Sequence, residues 1–137
     1  MPAYTPKLTN AKGTPAVTTL GQYAVSGGVV TFTAQVNAKG LVESVNAYGF
    51  GLTLPVPAVS GIRHTFNLEF DGRDADNGAW TGEALIYAGS DGSQLDRLRV
   101  TGTSNGAALQ NVTFLYGNSE GAVDAEIITV TGSYVAA

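Results

Sequence analysis

This chain has no cysteine, one histidine, one tryptophan and a single methionine, Met1. Without cysteine there is no disulfide, no thiolate nucleophile and no zinc–thiolate site. One histidine, His64, cannot build a His-based metal cluster, and it has no cysteine or second histidine as a catalytic partner. No apolar run approaches the ~20 residues of a helical membrane span. Charge is scarce as well: Asp, Glu, Lys and Arg make up 13% of the 137 residues, against a usual ~25%.

The balance of that charge also excludes partners. Seven basic residues stand against eleven acidic ones, a formal net charge of −4. Lys7, Lys12, Lys39, Arg63, Arg73, Arg97 and Arg99 are scattered, and only Arg97 and Arg99 lie close together. A phosphate-binding face needs a denser cluster, so nucleic acid is not expected as a partner, and neither is a membrane. A monomer usually carries more surface charge than this. The shortage points to surface that is covered in an assembly.

What the chain does have is glycine, eighteen of them, between short β-branched stretches that recur about every dozen residues. Helical periodicity is missing. This combination predicts an all-β, antiparallel single domain, a β-sandwich or jelly roll of about eight to ten strands. VVTFTAQV (29–36) is the clearest strand, with Val30, Phe32, Ala34 and Val36 on one face and Thr31, Thr33 and Gln35 on the other. GQYAV and the turn SGG before it predict a tight hairpin. In YGFGLTLPVPAV, Phe50, Leu52 and Leu54 alternate inward, and Pro55 and Pro57 end the strand at a sheet edge. RHTFNLEF, WTGEALIYA, LDRLRVTG, NVTFLYG and EIITVTGSYV supply the rest.

The first ten residues, MPAYTPKLTN, are extended, because Pro2 and Pro6 forbid a helix. No cationic stretch and apolar run mark a secretory signal. Residues 1–12 are therefore expected to form an N-terminal arm and residues 13–137 the sandwich. An arm of this kind frays unless it docks, on its own sheet or on a neighbouring subunit.

Four fragments then form a pattern: Tyr4–Leu8 (YTPKL), Gly21–Phe32, Gly49–Pro57 (ending LPVP) and Val130–Tyr134 (VTGSY). Together they resemble a β-module of tailed-bacteriophage virion proteins, found in tail-fibre and capsid-decoration proteins. From Ile62 to Tyr116 the likeness is only of β-rich, glycine-rich character. The resemblance implies a non-enzymatic, oligomeric virion surface domain, with a trimer favoured. No heptads, collagen repeats or shaft accompany the module. That favours a capsid decoration (cement) protein, made in the host cytoplasm and carried on the capsid exterior, with the major capsid protein and itself as partners. The alternative is a tail-fibre or tail-tip receptor-binding module directed at a host surface glycan. On the first reading, Tyr4, Thr5, Pro6 and Leu8 of the arm and Leu54, Pro55 and Pro57 of the edge form the interface.

Two further features bear on chemistry. DGRDADNG gathers Asp71, Asp74, Asp76 and Asn77, oxygen donors of the kind hard cations use, but its spacing departs from the EF-hand. The same residues build any exposed turn, and the turn is the preferred reading. Trp80 beside that loop fits either a sugar-stacking site or core and interface contacts, as do the tyrosines. His64 shares a face with Phe66 and Leu68, as a structural histidine would. No carboxylate pair stands out for glycoside chemistry. No cofactor is expected.

Overall fold

The computed structural model describes residues 2–13, 19–45, 49–71, 79–100, 110–111 and 127–137. Among them every regular element is a strand. The first three are short: β1 (Ala3–Tyr4), β2 (Leu8–Thr9) and β3 (Ala11–Gly13). Two long ones follow, β4 (Thr19–Ser26) and β5 (Val29–Asn37), then β6 (Leu41–Glu43) and β7 (Gly51–Thr53). Next come β8 (His64–Asp71), β9 (Ala79–Ile86), β10 (Gln94–Leu95) and β11 (Arg97–Val100). β12 (Gln110–Asn111) and β13 (Ile127–Val135) complete the set. The described count exceeds the expected eight to ten because seven of these strands are only two or three residues long, and of these β7 alone, with Phe50 and Leu52 turned inward, lies in a stretch whose alternation announces it. NVTFLYG falls almost wholly outside the described residues.

Eight strands form one antiparallel sheet in the order β1-β4-β5-β13-β8-β9-β11-β12. A three-stranded sheet, β10-β7-β2, and a two-stranded one, β3-β6, complete the domain. The layers are therefore unequal, a large sheet with smaller ones over its inner face. β5 shows why: its side chains alternate exposed and buried along its length, leaving Val30, Phe32, Ala34 and Val36 inside. β13 contributes Ile128, Val130 and Tyr134 to the same core, and β8 adds Phe66, Leu68 and Phe70. Phe50, Leu52 and Leu95 close it from the smaller sheet. Each such large side chain taken fully out of water stabilises the fold by about 1.5–3 kcal/mol.

The hairpin from β4 to β5 turns at Gly27 and Gly28, with φ of 59° and 79°. Two consecutive positive φ values define the turn that matches strand twist, and glycine adopts both without strain. Elsewhere a glycine makes room: a Cβ on Gly132 of β13 would stand 2.6 Å from Phe66 Cδ1. That absence lets the Phe66 ring lie over the sheet beside Phe32 and Tyr134, at centroid distances of 5.4 and 6.1 Å.

Candidate functional site

The N-terminal arm enters all three sheets of its own chain. β1 pairs with β4, matching Ala3 to Gln22 and Tyr4 to Gly21, and Tyr23 N donates to Pro2 O at 3.0 Å. β2 pairs with β7, and β3 with β6. Lys7 locks onto Thr53: its N–H donates to Thr53 Oγ1 at 2.9 Å, and its carbonyl accepts Thr53 N–H at 2.9 Å. Asn10, at a φ of 54°, turns the chain between β2 and β3. Its Oδ1 accepts Val45 N–H at 2.8 Å, while Nδ2 donates to Gly49 O at 2.6 Å and to Val45 O at 3.3 Å. Asn tolerates this left-handed geometry better than most residues, yet the sequence gives no sign that Asn10 needs it.

The predicted interface residues divide into two kinds. Pro6 is buried, and Tyr4 and Leu8 are half-buried against the core. The Tyr4 ring lies on Gly21, where a Cβ would meet Cε1 at 2.6 Å, and meets Tyr23 edge-on at 6.0 Å. Leu54 and Pro55 are half-buried beside Val56, which binds Tyr134. Thr5 and Pro57 are the two that are exposed. Beside the arm a groove of about 380 Å³ runs between Lys7, Leu8, Ala11, Gly13 and Leu41.

Tyr134 joins the far ends of the pattern. It is buried, with its ring 5.6 Å from Phe32, and its hydroxyl donates to Val56 O at 2.6 Å. Burial pushes its phenol up to about 12, partly offset by the hydrogen bond with Val56. Burial also raises Tyr4, with the neighbouring Tyr134 adding to the effect. His64 lies over Phe66 and Tyr134, each at 6.3 Å, and its Nε2 accepts Val135 N–H at 3.4 Å.

A second cluster orders the loop before β11. Asp96 Oδ2 accepts Tyr87 N–H at 2.8 Å and Oδ1 accepts the Ser90 hydroxyl at 3.3 Å. Asp91 is held below its usual range by hydrogen bonds from Ser93. Arg99 donates to Tyr87 Oη at 3.0 Å.

The outer face of the large sheet carries exposed residues on its central strands. One row crosses it as Gln22, Thr33, Thr131, Asn67, Glu83 and Arg99, each residue opposite the next. Neighbouring positions pair through side chains: Thr31 Oγ1 lies 3.1 Å from Ser133 Oγ, and Gln35 Nε2 donates to Thr129 Oγ1 at 3.2 Å. Thr31, Thr33 and Gln35 were legible as a wetter face, but their continuation onto Thr129 and Thr131 depends on β13 lying beside β5.

Asp74, Asp76 and Asn77 lie outside the described residues, and Asp71 and Trp80 are described by their backbone pairing alone, with Ala79 and Phe70. Among the described residues, no group of three or more His, Asp or Glu side chains is arranged to hold a metal. Residues 102–106 (GTSNG) and 117–121 (GNSEG) fit Gly-x-Ser-x-Gly. That pattern exposes a nucleophile only at a strand-to-helix turn, and both runs lie outside the described residues. No protein-family model matches the chain, and neither does any curated protein or solved structure.

Proposed function

We propose that this chain is a non-enzymatic virion protein of a tailed bacteriophage, a decoration protein that binds the outer capsid surface and bridges neighbouring capsid subunits. The observation that carries the reading is the meeting of the four fragments behind the resemblance. Tyr4 rests on Gly21, Tyr23 stands opposite Phe32, Phe32 touches Tyr134, and Tyr134 binds Val56. Four fragments that form one contiguous unit support a common origin as a module better than four scattered matches would. The work is binding without turnover: a protein that joins assembled subunits and not free ones stabilises the shell by mass action.

Contact with the shell falls to exposed groups, so Thr5, Lys7 and Pro57, on the arm and the neighbouring edge, are the positions to vary. Deleting the arm would also remove its pairings with β4 and β7, whereas Thr5→Arg and Pro57→Arg leave the sheets intact. The test is co-sedimentation of purified protein with empty, expanded capsids of the phage that encodes it. Saturation at a symmetry-related copy number, weakened by Thr5→Arg or Pro57→Arg, is the expected result. No binding to capsids, with adsorption to host cells instead, would replace this reading with the receptor-binding one.

A further inference from the structure

We infer that the outer face of β4, β5 and β13 is a self-association surface on which a second copy of this chain stacks in a two-fold pair. These three strands carry no Asp, Glu, Lys or Arg. Among the described side chains, the charges of this sheet face lie on its other half, with Glu69 on β8, Glu83 on β9, and Arg97 and Arg99 on β11. Two copies of a chain with net charge −4 repel each other, and this half is where they approach without opposing like charges. Among the described residues, these strands offer a strongly charged partner no charge to pair with.

The polar groups of the face are prepared for being covered. Thr31 with Ser133, and Gln35 with Thr129, already hydrogen-bond within the sheet. Covering them strands fewer donors and acceptors than covering free hydroxyls would. Apolar side chains supply the gain: Leu20, Val29 and Val135 point outward here and are 61%, 42% and 43% exposed.

At the β4 edge a face contact is favoured over strand addition, because that edge is partly covered. β1 covers its centre, and Pro2 and Pro6 flank β1. Proline on an edge blocks a further strand. A face meeting its own copy is isologous and yields two subunits, unlike the trimer that the sequence resemblance implies. Strands of this length, at ~3.3 Å per residue and ~4.8 Å apart, give three strands a plan area of roughly 400 Å². That is below the ~800 Å² per partner of a standard interface, so the pair is weak and reversible. The inference is independent of the virion reading, since it uses the sheet alone and failure to bind capsids leaves it standing.

Sedimentation velocity of the purified chain, from micromolar to near-millimolar concentration, tests it. The expected result is a concentration-dependent passage from one copy to two. Thr33→Lys and Leu20→Lys should each weaken the pair by about tenfold or more by opposing like charges. Ser60→Lys, on an exposed turn and of equal charge change, should not. Unfolding midpoints confirm that each variant is folded, and Leu20 sits at a position already open to solvent. A single-copy chain across the range, a three-copy species, or a pair that both sheet-face variants leave intact overturns the inference.

Discussion

The Tyr134 hydroxyl stands between the two backbone groups of Val56, donating to its carbonyl at 2.6 Å and accepting its N–H at 3.4 Å. It ties the proline-bounded segment after β7 to a central strand of the large sheet. Tyr134→Phe keeps the ring among Phe32 and Phe66 but leaves both Val56 groups without this partner. The expected loss is about 1–3 kcal/mol, read from urea denaturation. A variant as stable as the parent would remove the tie from this account.

The same phenol predicts a dependence on pH. Its value is about 12 in the fold against 10.0 for an ordinary tyrosine, and Tyr4 is raised too. Between these values the native chain keeps a proton that the unfolded chain releases, so unfolding becomes easier as pH rises. The contribution is complete below pH 10 and is lost as pH climbs toward 12. Denaturation midpoints should fall over this window, and less steeply in Tyr134→Phe. Equal slopes would assign the alkaline loss to other groups.

Gly21 and Gly132 predict two different failures. A methyl at Gly132 meets Phe66 inside the core, and overfilling a core costs about 1–3 kcal/mol. A methyl at Gly21 meets the Tyr4 ring, which belongs to the arm. Gly21→Ala should therefore displace residues 2–4 while most of the sheet survives. Hydrogen exchange at the Tyr23 amide, bonded to Pro2 O, should quicken markedly in Gly21→Ala and only slightly in Gly132→Ala.

Asn10 carries a positive φ and three side-chain hydrogen bonds. Asn10→Gly relieves the backbone but deletes the bonds, and Asn10→Ala loses both advantages. Calorimetry should rank stability as parent, then glycine, then alanine, with alanine about 2–4 kcal/mol below the parent. Alanine equal to glycine would show that φ contributes nothing there.

Asp96→Ala should loosen the loop from Tyr87 to Gln94, because Tyr87 N–H and the Ser90 hydroxyl lose their acceptor. A cost of about 1–3 kcal/mol is expected, mostly regained in Asp96→Asn, which keeps one oxygen. Proteolysis at the Ala88–Gly89 turn reads the loosening directly.

The strands that could be read from the sequence are those whose own alternation is complete. VVTFTAQV declares its buried face without reference to any neighbour, and so does HTFNLEF. Gly27-Gly28 declares its turn through the backbone geometry only glycine favours. β2 and β10 declare nothing, because they exist only through their pairing with β7, whereas β7 is announced by Phe50 and Leu52 alternating inward around it. The site was less legible for the same reason. Thr5 and Tyr4 look alike as members of an extended arm, but Tyr4 lies half-buried on Gly21 and Thr5 is left in water. The uncharged half-face is written in the sequence as three strands without charge; the SGG turn joins the first two as a hairpin, but nothing in the order places β13 beside them.

That order also governs how the chain reaches its fold. β13 lies between β5 and β8 in the large sheet, although β5 ends at Asn37 and β13 begins at Ile127. During synthesis the inner halves of the sheet wait with open ladders until Ile127–Val135 has emerged. Loop closure on this scale precedes any reward from contacts, which places folding among the slow, millisecond-to-second β topologies. Nascent chains therefore pass through a stage with two unmatched strand borders, β5 and β8, and the arrival of a single segment seals both at once.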